Sequence, residues 1–358
     1  MTQAQPAGPG FDAAGAASPE QSRSQRVFLA LSRSWLFVFL LLLLAFFWLS
    51  TPSGTFLSSA NLTQISLSTS EVVLLAIGQT FVIVTAGIDL SVGGILFFAG
   101  VCGGEVMLYL SGTHDEVIVN GLYPHAGIAV FLGVLVCIGA GTVCGFANGA
   151  AITKLKLPPF IVTLGMLGIT FGLGEVIDGG SYLPAPVPPT LSQHFGSGKF
   201  LGLYYPIWVA LGFLIVAHVV FQYTRFGRYT RAVGSNDEAT RRTGIAVDWH
   251  IIKVYTLAGF LAGVAAIVDL AIYTNTTAVS HRTDNLTAIS AVVLGGTSLF
   301  GGIGSILMTA VGAFVPTVLQ NGLVIKDVQP FWQEVVVGAT IIFAVYLDQV
   351  RRRRTNSA

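Results

Sequence analysis

The chain has 358 residues, of which 53% are hydrophobic and only 10% charged, and its formal net charge is +1. A soluble domain of this length needs far more charge to stay dispersed, and without a net basic field there is no electrostatic basis for a nucleic-acid partner. The three cysteines, Cys102, Cys137 and Cys144, lie inside apolar stretches and are odd in number, so they read as buried helix residues and not as a disulfide or metal set.

In chain order, Met1 to Ala30 is rich in Ala, Gly, Pro, Ser and Gln without an apolar period, the composition of a disordered tail. The apolar run from Trp35 to Leu49 follows Arg23, Arg26 and Arg33 and has no evident small-residue cleavage site, so it reads as an uncleaved first transmembrane helix. A helix needs about 20 apolar residues to cross a bilayer. On that length the sequence predicts spans near 32–50, 65–87, 91–110, 126–150, 159–178, 204–224, 251–273, 286–300, 304–325 and 330–350. The stretch 286–300 is short and is expected to be partly re-entrant. The expected fold is an all-α polytopic membrane helix bundle of about ten transmembrane helices. It occupies 31–350, between the tail 1–30 and a basic tail 351–358, and carries a charged loop at 225–250.

Positive charge falls at every second gap between spans. Lys154 and Lys156, the six Lys and Arg from Arg225 to Lys253, and Arg351 to Arg354 share one set of gaps with the N-terminal arginines, whereas only Lys199, Arg282 and Lys326 occupy the other. Retained loops carry the Lys/Arg excess, so the basic gaps and both termini are expected to be cytoplasmic. Trp35, Trp48, Tyr204, Tyr205, Trp249 and Trp332 fall at span ends, the place of aromatic interface anchors.

The fourth span ends with Asn148-Gly149-Ala150-Ala151-Ile152 before Pro159-Phe160, and the ninth ends with Asn321-Gly322-Leu323-Val324-Ile325 before Pro330-Phe331. Five spans separate the two motifs, and an odd separation reverses direction, so spans 2–5 and 7–10 read as an inverted repeat. Inverted repeats build transporters, in which two halves rock about a midplane site. No nucleophile–base pair, Cys/His ligand spacing or other catalytic cluster competes with that reading, so no catalytic residue and no metal are expected.

The segment after Arg225 contains Ser235 and Glu238 at capping-box spacing, with Gly244 placed to end a helix that starts at Ser235 or Asn236. So short a helix is marginal alone in water and is expected to dock on something outside the bilayer. Gly234-Ser235-Asn236-Asp237-Glu238-Ala239, ending in Thr243-Gly244-Ile245, resembles the cytoplasmic coupling loop of ribose/xylose-type ABC importer permeases. So do Gly87-Ile88-Asp89-Leu90-Ser91-Val92-Gly93-Gly94, Pro159-Phe160-Ile161-Val162-Thr163-Leu164-Gly165 and Val293-Leu294-Gly295-Gly296-Thr297-Ser298-Leu299-Phe300-Gly301-Gly302. Only the N-terminal tail and first span lie outside the resemblance.

The resemblance implies a multi-pass permease of the bacterial inner membrane, acting as a homodimer or pair. A cytoplasmic ABC ATPase would drive it, and a periplasmic sugar-binding protein would feed it. The chain has no G-x-x-x-x-G-K-[ST] phosphate loop, so ATP belongs to the separate subunit and no cofactor is expected here. Pathway or gate candidates at the motif positions are Asp89, Ser91, Gly93, Gly94, Asn148, Thr163, Gly295, Gly296, Thr297, Ser298 and Asn321. For Asp89 an N-cap of the third span is the competing role. Glu105, Glu175, Asp269 and Glu334 are suspects because ionisable groups at membrane depth are costly. The pathway itself is expected to be walled by small residues, hydroxyls and amides. Two positions depart from the family: Phe171 stands where an Arg is usual, and Asn285-Leu286-Thr287 replaces Glu-Leu-Asp. Polyols, cyclitols, nucleosides and furanone-type signals therefore stay open beside a pentose or hexose. The alternative from another class is an ion-coupled secondary transporter of a small polar solute, which needs no docking helix.

Overall fold

The computed structural model of the chain describes residues 23–180, 186–329, 331–340, 342, 343 and 346, with side chains from Trp35 onward. The tail before Arg23, the basic tail 351–358 and most of 341–350 lie outside the described residues. The helices are α1 (Arg23–Ser50), α2 (Ser59–Val84), α3 (Val92–Ser111), α4 (Ala126–Lys154), α5 (Pro159–Asp178), α6 (Tyr205–Tyr223), α7 (Arg225–Ser235), α8 (Asp237–Arg242), α9 (Val247–Tyr273), α10 (Asp284–Leu294) and α11 (Ile306–Ile325). Residues 331–340 are helical as well. Helix α1 thus reaches back into the stretch read as tail. Among the described residues the strands amount to one antiparallel ladder, β1 (Lys199–Phe200) with β2 (Leu203–Tyr204), so the all-α class holds.

Seven helices, α2 to α6, α9 and α11, are long and apolar enough to cross a membrane. The predicted span 286–300 is not one of them. Helix α10 has 11 residues, which at about 1.5 Å per residue reaches roughly half a hydrocarbon core. The chain leaves it through a turn in which Gly296, Gly301 and Gly302 hold φ of +83°, +84° and +76°, values that favour glycine. Helix α9 ends at Tyr273 at one end of the bundle, whereas the turn after α10 touches α7 at the other. Residues 274–294 therefore run from one end of the bundle to the other together, first as irregular chain and then as helix, and the predicted span 330–350 lies partly outside the described residues.

Helices α2 and α9 lie antiparallel at the centre. A Cβ on Gly78 would meet Ala258 Cα at 2.8 Å, and the Ser68 and Tyr273 hydroxyls are 3.4 Å apart. Helix α4 packs backbone to backbone on α9 through Gly141, Gly145 and Gly149, which face Gly259, Gly263, Tyr255 and Ile252. Helix α11 packs on α2 through Thr69–Thr317 at 2.9 Å and Thr80–Thr309 at 3.0 Å. Small residues and crossing hydroxyls supply the association that lipid, as apolar as the side chains, does not. Exchanging α2 with α9, α3 with α10 and α4 with α11 maps this packing onto itself: α3 on α9 corresponds to α10 on α2, and α3 on α4 to α10 on α11. The pairs run in opposite directions, the arrangement of an inverted repeat. Helices α5 and α6 lie toward the periphery, and few of their side chains are buried.

Candidate functional site

Arg225 to Arg242 fold into two short helices, not one. Helix α7 runs straight from Thr224 to Ser235, and α8 restarts at once because Asn236 adopts extended backbone and accepts a hydrogen bond from the Ala239 amide at 2.8 Å. The cap is therefore Asn236 and not Ser235, whose hydroxyl donates back to the Arg231 carbonyl at 2.8 Å. Gly244 ends α8 at φ +85°. Asp237 and Glu238 occupy the first turn and Arg241 and Arg242 the last, which suits the helix dipole. The hydrogen bond from Arg241 to Asp248, 2.5 Å long, raises the guanidinium pKa above its ordinary value. A groove of about 240 Å³ lies between the two helices, lined by Ser235, Asn236, Ala239, Thr240 and Thr243 among others.

The C-terminal end of α7 is wedged against the end of α2 and the turn after α10. Gly234 abuts the Val84 carbonyl, and a Cβ there would meet Gly302 N at 2.7 Å; one on Gly301 would meet Gly234 O at 2.5 Å and Ala86 Cβ at 2.9 Å. Gly302 N also donates to Val84 O at 2.9 Å. The segment linking α2 to α3, the turn linking α10 to α11 and the coupling segment thus meet backbone to backbone.

Above that junction the structure brings Asp89, Ser91, Asn148 and Thr163 together. One Asp89 oxygen accepts from the Ser91 amide at 2.8 Å and the Ser91 hydroxyl at 2.5 Å, and Asn148 donates to that hydroxyl at 2.8 Å. Thr163 reaches the Ile88 carbonyl at 3.3 Å. All four side chains are buried, and Asp89 Oδ2 and Asn148 Oδ1 have no hydrogen-bond partner among the described residues. Ser91, not Asp89, occupies the N-cap position of α3. Gly93 lets α3 pass the start of α10, where a Cβ would meet His281 O at 2.7 Å, and Gly94 lets it pass Leu167 and Thr170 on α5.

The other candidates separate. Gly295 packs on Thr309 N, where a Cβ would come within 2.7 Å. Gly296, Thr297 and Ser298 shape the turn, in which Ser298 N donates to Ile303 O at 2.9 Å. Asn321 lies at the opposite end of the bundle and exchanges amide hydrogen bonds of 2.8 and 3.0 Å with Asn61. It joins none of the other candidates. Its repeat partner Asn148 faces Ser91, so the sequence match does not extend to the partner side chain.

The largest surprise is a polar cavity of about 400 Å³ between α2, α9, α10 and α11, toward the end away from α7. Four ionisable side chains converge on it. His281 Nδ1 lies 2.7 Å from Asp284 Oδ2 and 4.0 Å from Glu71 Oε1, and its Nε2 lies 2.9 Å from the Thr276 hydroxyl and 3.4 Å from Asp269 Oδ2. Of these groups only Asp269 was a suspect from sequence, and the expectation of a wall without carboxylates does not hold for this cavity. Glu105 lines a different cavity with Tyr109 and Thr113, Glu175 is half-buried and Glu334 exposed. Because Glu105 stands apart from the cluster, Glu105→Gln is expected to lower uptake by less than about tenfold, roughly 1.4 kcal/mol in transition-state terms. Complete loss with normal membrane levels would place an essential charge there.

The family described as branched-chain amino acid transport system, permease component, matches residues 61–345. The ribose import permease protein RbsC of Escherichia coli (strain K12) is 33% identical over 332 residues, 90% of this chain and 96% of that protein. The fructose import permease protein FrcC of Rhizobium meliloti is 32% identical over 306 residues, 84% of this chain and 81% of that protein. The galactose/methyl galactoside import permease protein MglC of Escherichia coli (strain K12) is 31% identical over 335 residues, 90% of this chain and 96% of that protein. No solved structure matches the chain. With the polytopic bundle, the junction at Gly234 and relatives matched over nearly their whole length, the chain belongs to the family of ABC importer permeases of the ribose type.

Proposed function

We propose that the chain moves a sugar or sugar-like solute inward, as the membrane subunit of an importer whose cytoplasmic ATPase docks on α7 and α8. A periplasmic binding protein delivers solute at the opposite face, a second copy of the chain completes the pathway, and no catalytic step or cofactor belongs to this subunit. Helix α5 suits the contact with a second copy, since Gly165, Gly168 and Gly172 on it have open space beside them. In this reading 31–350 is one permease domain between two cytoplasmic tails.

The observation that carries the reading is the backbone junction of Gly234 with Val84 and Gly302. A displacement of α7 by the ATPase acts there on the segments that start α3 and α11. From Val84 the connection continues through Leu90, whose carbonyl accepts from Asn285 at 3.1 Å, to the α10 turn that carries Asp284. ATP shifts the balance of inward and outward states only as far as it binds them differently. The relatives named for ribose, fructose and galactose support a monosaccharide as solute, and the hydroxyls and amides of the cavity suit one.

Orientation has a direct test. In a background without the three native cysteines, Gly121→Cys and Lys199→Cys are expected to react with an impermeant thiol reagent in intact cells, and Asn236→Cys only after permeabilisation. Gly196 is unsuitable for this purpose because it is buried against Ala271. Labelling of position 236 from outside would overturn the topology and the docking site together.

A further inference from the structure

Glu71, Asp269 and Asp284 bring three carboxylates to one place, and among the described residues His281 is the basic group paired with them. One imidazole against three carboxylates leaves acidic groups in excess of basic ones among the described residues. The N-terminal dipole of α10, beside Asp284, supplies only about half a charge. Among the described residues the carboxylates paired with Arg are Asp248 and Glu238, both at the α7–α8 end of the protein. Keeping unmatched charges out of water costs several kcal/mol per ion, so buried carboxylates in this number call for protons or a cation.

One side chain points to where that charge goes. Asp269 is 3% exposed and lines the cavity, yet its Oδ2 has no hydrogen-bond partner among the described residues: His281 Nε2 faces it as an ion-pair contact at 3.4 Å, and Thr276 holds that nitrogen at 2.9 Å. Asp284 fixes the other face of the imidazole, so the ring cannot turn to satisfy Asp269. A strong acceptor is thus kept vacant, and one oxygen of Glu71, one of Asp269 and one nitrogen of His281 lie within 4.8 Å of one another. The cavity of about 400 Å³ beside them exceeds what a bare ion needs and suits a monosaccharide-sized molecule, with the Ser68 and Thr287 hydroxyls and the Tyr273 ring in its wall. An ammonium donates charge-assisted hydrogen bonds to carboxylates and sits favourably against an aromatic face.

Building on the sugar-permease reading, we propose that this cavity is the solute-recognition site and that it selects a polyhydroxylated solute carrying a cationic nitrogen, an amino sugar or an amine of similar size. Glu71 and Asp269 receive the ammonium, while Ser68, Thr287 and Gln320 receive hydroxyls. His281, held by Asp284 and Thr276, is a positioning residue that keeps the Asp269 oxygen available.

The test is binding to the full-length permease in lipid nanodiscs, using glucosamine, glucose and N-acetylglucosamine, and the matching galactose set. Within a set the molecules share a ring, and only the first carries charge. The amino sugar of at least one set is expected to bind at least tenfold more tightly than its neutral and N-acetylated partners. Glu71→Gln and Asp269→Asn should each erase that preference, whereas Glu105→Gln, which lies outside this cavity, should keep it. Equal binding of charged and neutral members, or a preference that survives both substitutions, overturns the proposal and leaves the sugar reading standing. Zn²⁺ or Ca²⁺ binding that is lost in both variants, with no amino-sugar preference, would reassign the cluster to an inorganic cation. If cells bearing the whole importer take up none of these sugars and the permease binds none, the sugar reading falls as well.

Discussion

Thr240→Pro is expected to reduce solute uptake to background while leaving the membrane bundle folded. The Thr240 amide makes the first backbone hydrogen bond of α8, to Asn236 O at 3.0 Å, and its buried hydroxyl donates to the same carbonyl at 2.7 Å. Proline deletes the donor and clashes with that carbonyl, at a cost of about 3 kcal/mol. A helix of 6 residues has no reserve to absorb it. Since α8 packs chiefly on α7 and α9, the thermal midpoint of the bundle should move little, whereas co-purification with the ATPase should fail. Glu238→Pro is the informative control. Position 238 lies in the first turn, where amides have no partner inside the helix, so uptake should survive there. Uptake by the Thr240→Pro protein would remove α8 from the coupling path.

The second large effect concerns folding. Gly259→Val is expected to part α4 from α9, because a Cβ at 259 would meet Gly145 Cα and Gly145 N at 2.7 Å and also press on the Gly141 carbonyl. Backbone cannot give way as a side-chain tip can, so the loss should stand at the upper end for overpacking, about 3 kcal/mol. It should be seen as a lowered thermal midpoint in detergent and a poor membrane yield. Gly212→Val on α6 adds the same atoms where nothing lies within 4 Å and should leave both unchanged. If the two variants behave alike, the close α4–α9 packing is wrong.

The features legible in the sequence were those written in local pattern. Apolar length placed the long spans, Asn148-Gly149 and Asn321-Gly322 exposed the repeat, and the turn residues around Gly244 and Gly296 took the positive φ that their positions demand. Where two local signals competed, geometry decided. Ser235 and Asn236 are both good caps, but Ser235 closes α7 by bonding to Arg231, which leaves Asn236 to open α8. Apolarity alone could not show that 286–300 breaks at Leu294, because buried residues stand on both sides of the break, Val293 and Leu294 before it and Thr297 and Ser298 after it. The cation-seeking cluster was invisible for a different reason. Glu71, Asp269 and His281 come from α2, α9 and the segment after it, and only the antiparallel pairing of α2 with α9 makes them neighbours. Asp269 gave a hint through its depth, while Glu71 sits in a stretch of hydroxyls that reads as an ordinary helix face.

The measurement that bears most directly on the account is uptake of a radiolabelled pentose or hexose by cells carrying the whole importer, under two opposed conditions. With the proton gradient dissipated and ATP maintained, uptake should continue; with the gradient intact and ATP depleted, it should stop, because the energy enters through α7 and α8 from a separate ATPase. Uptake that follows the gradient and ignores ATP would contradict the account.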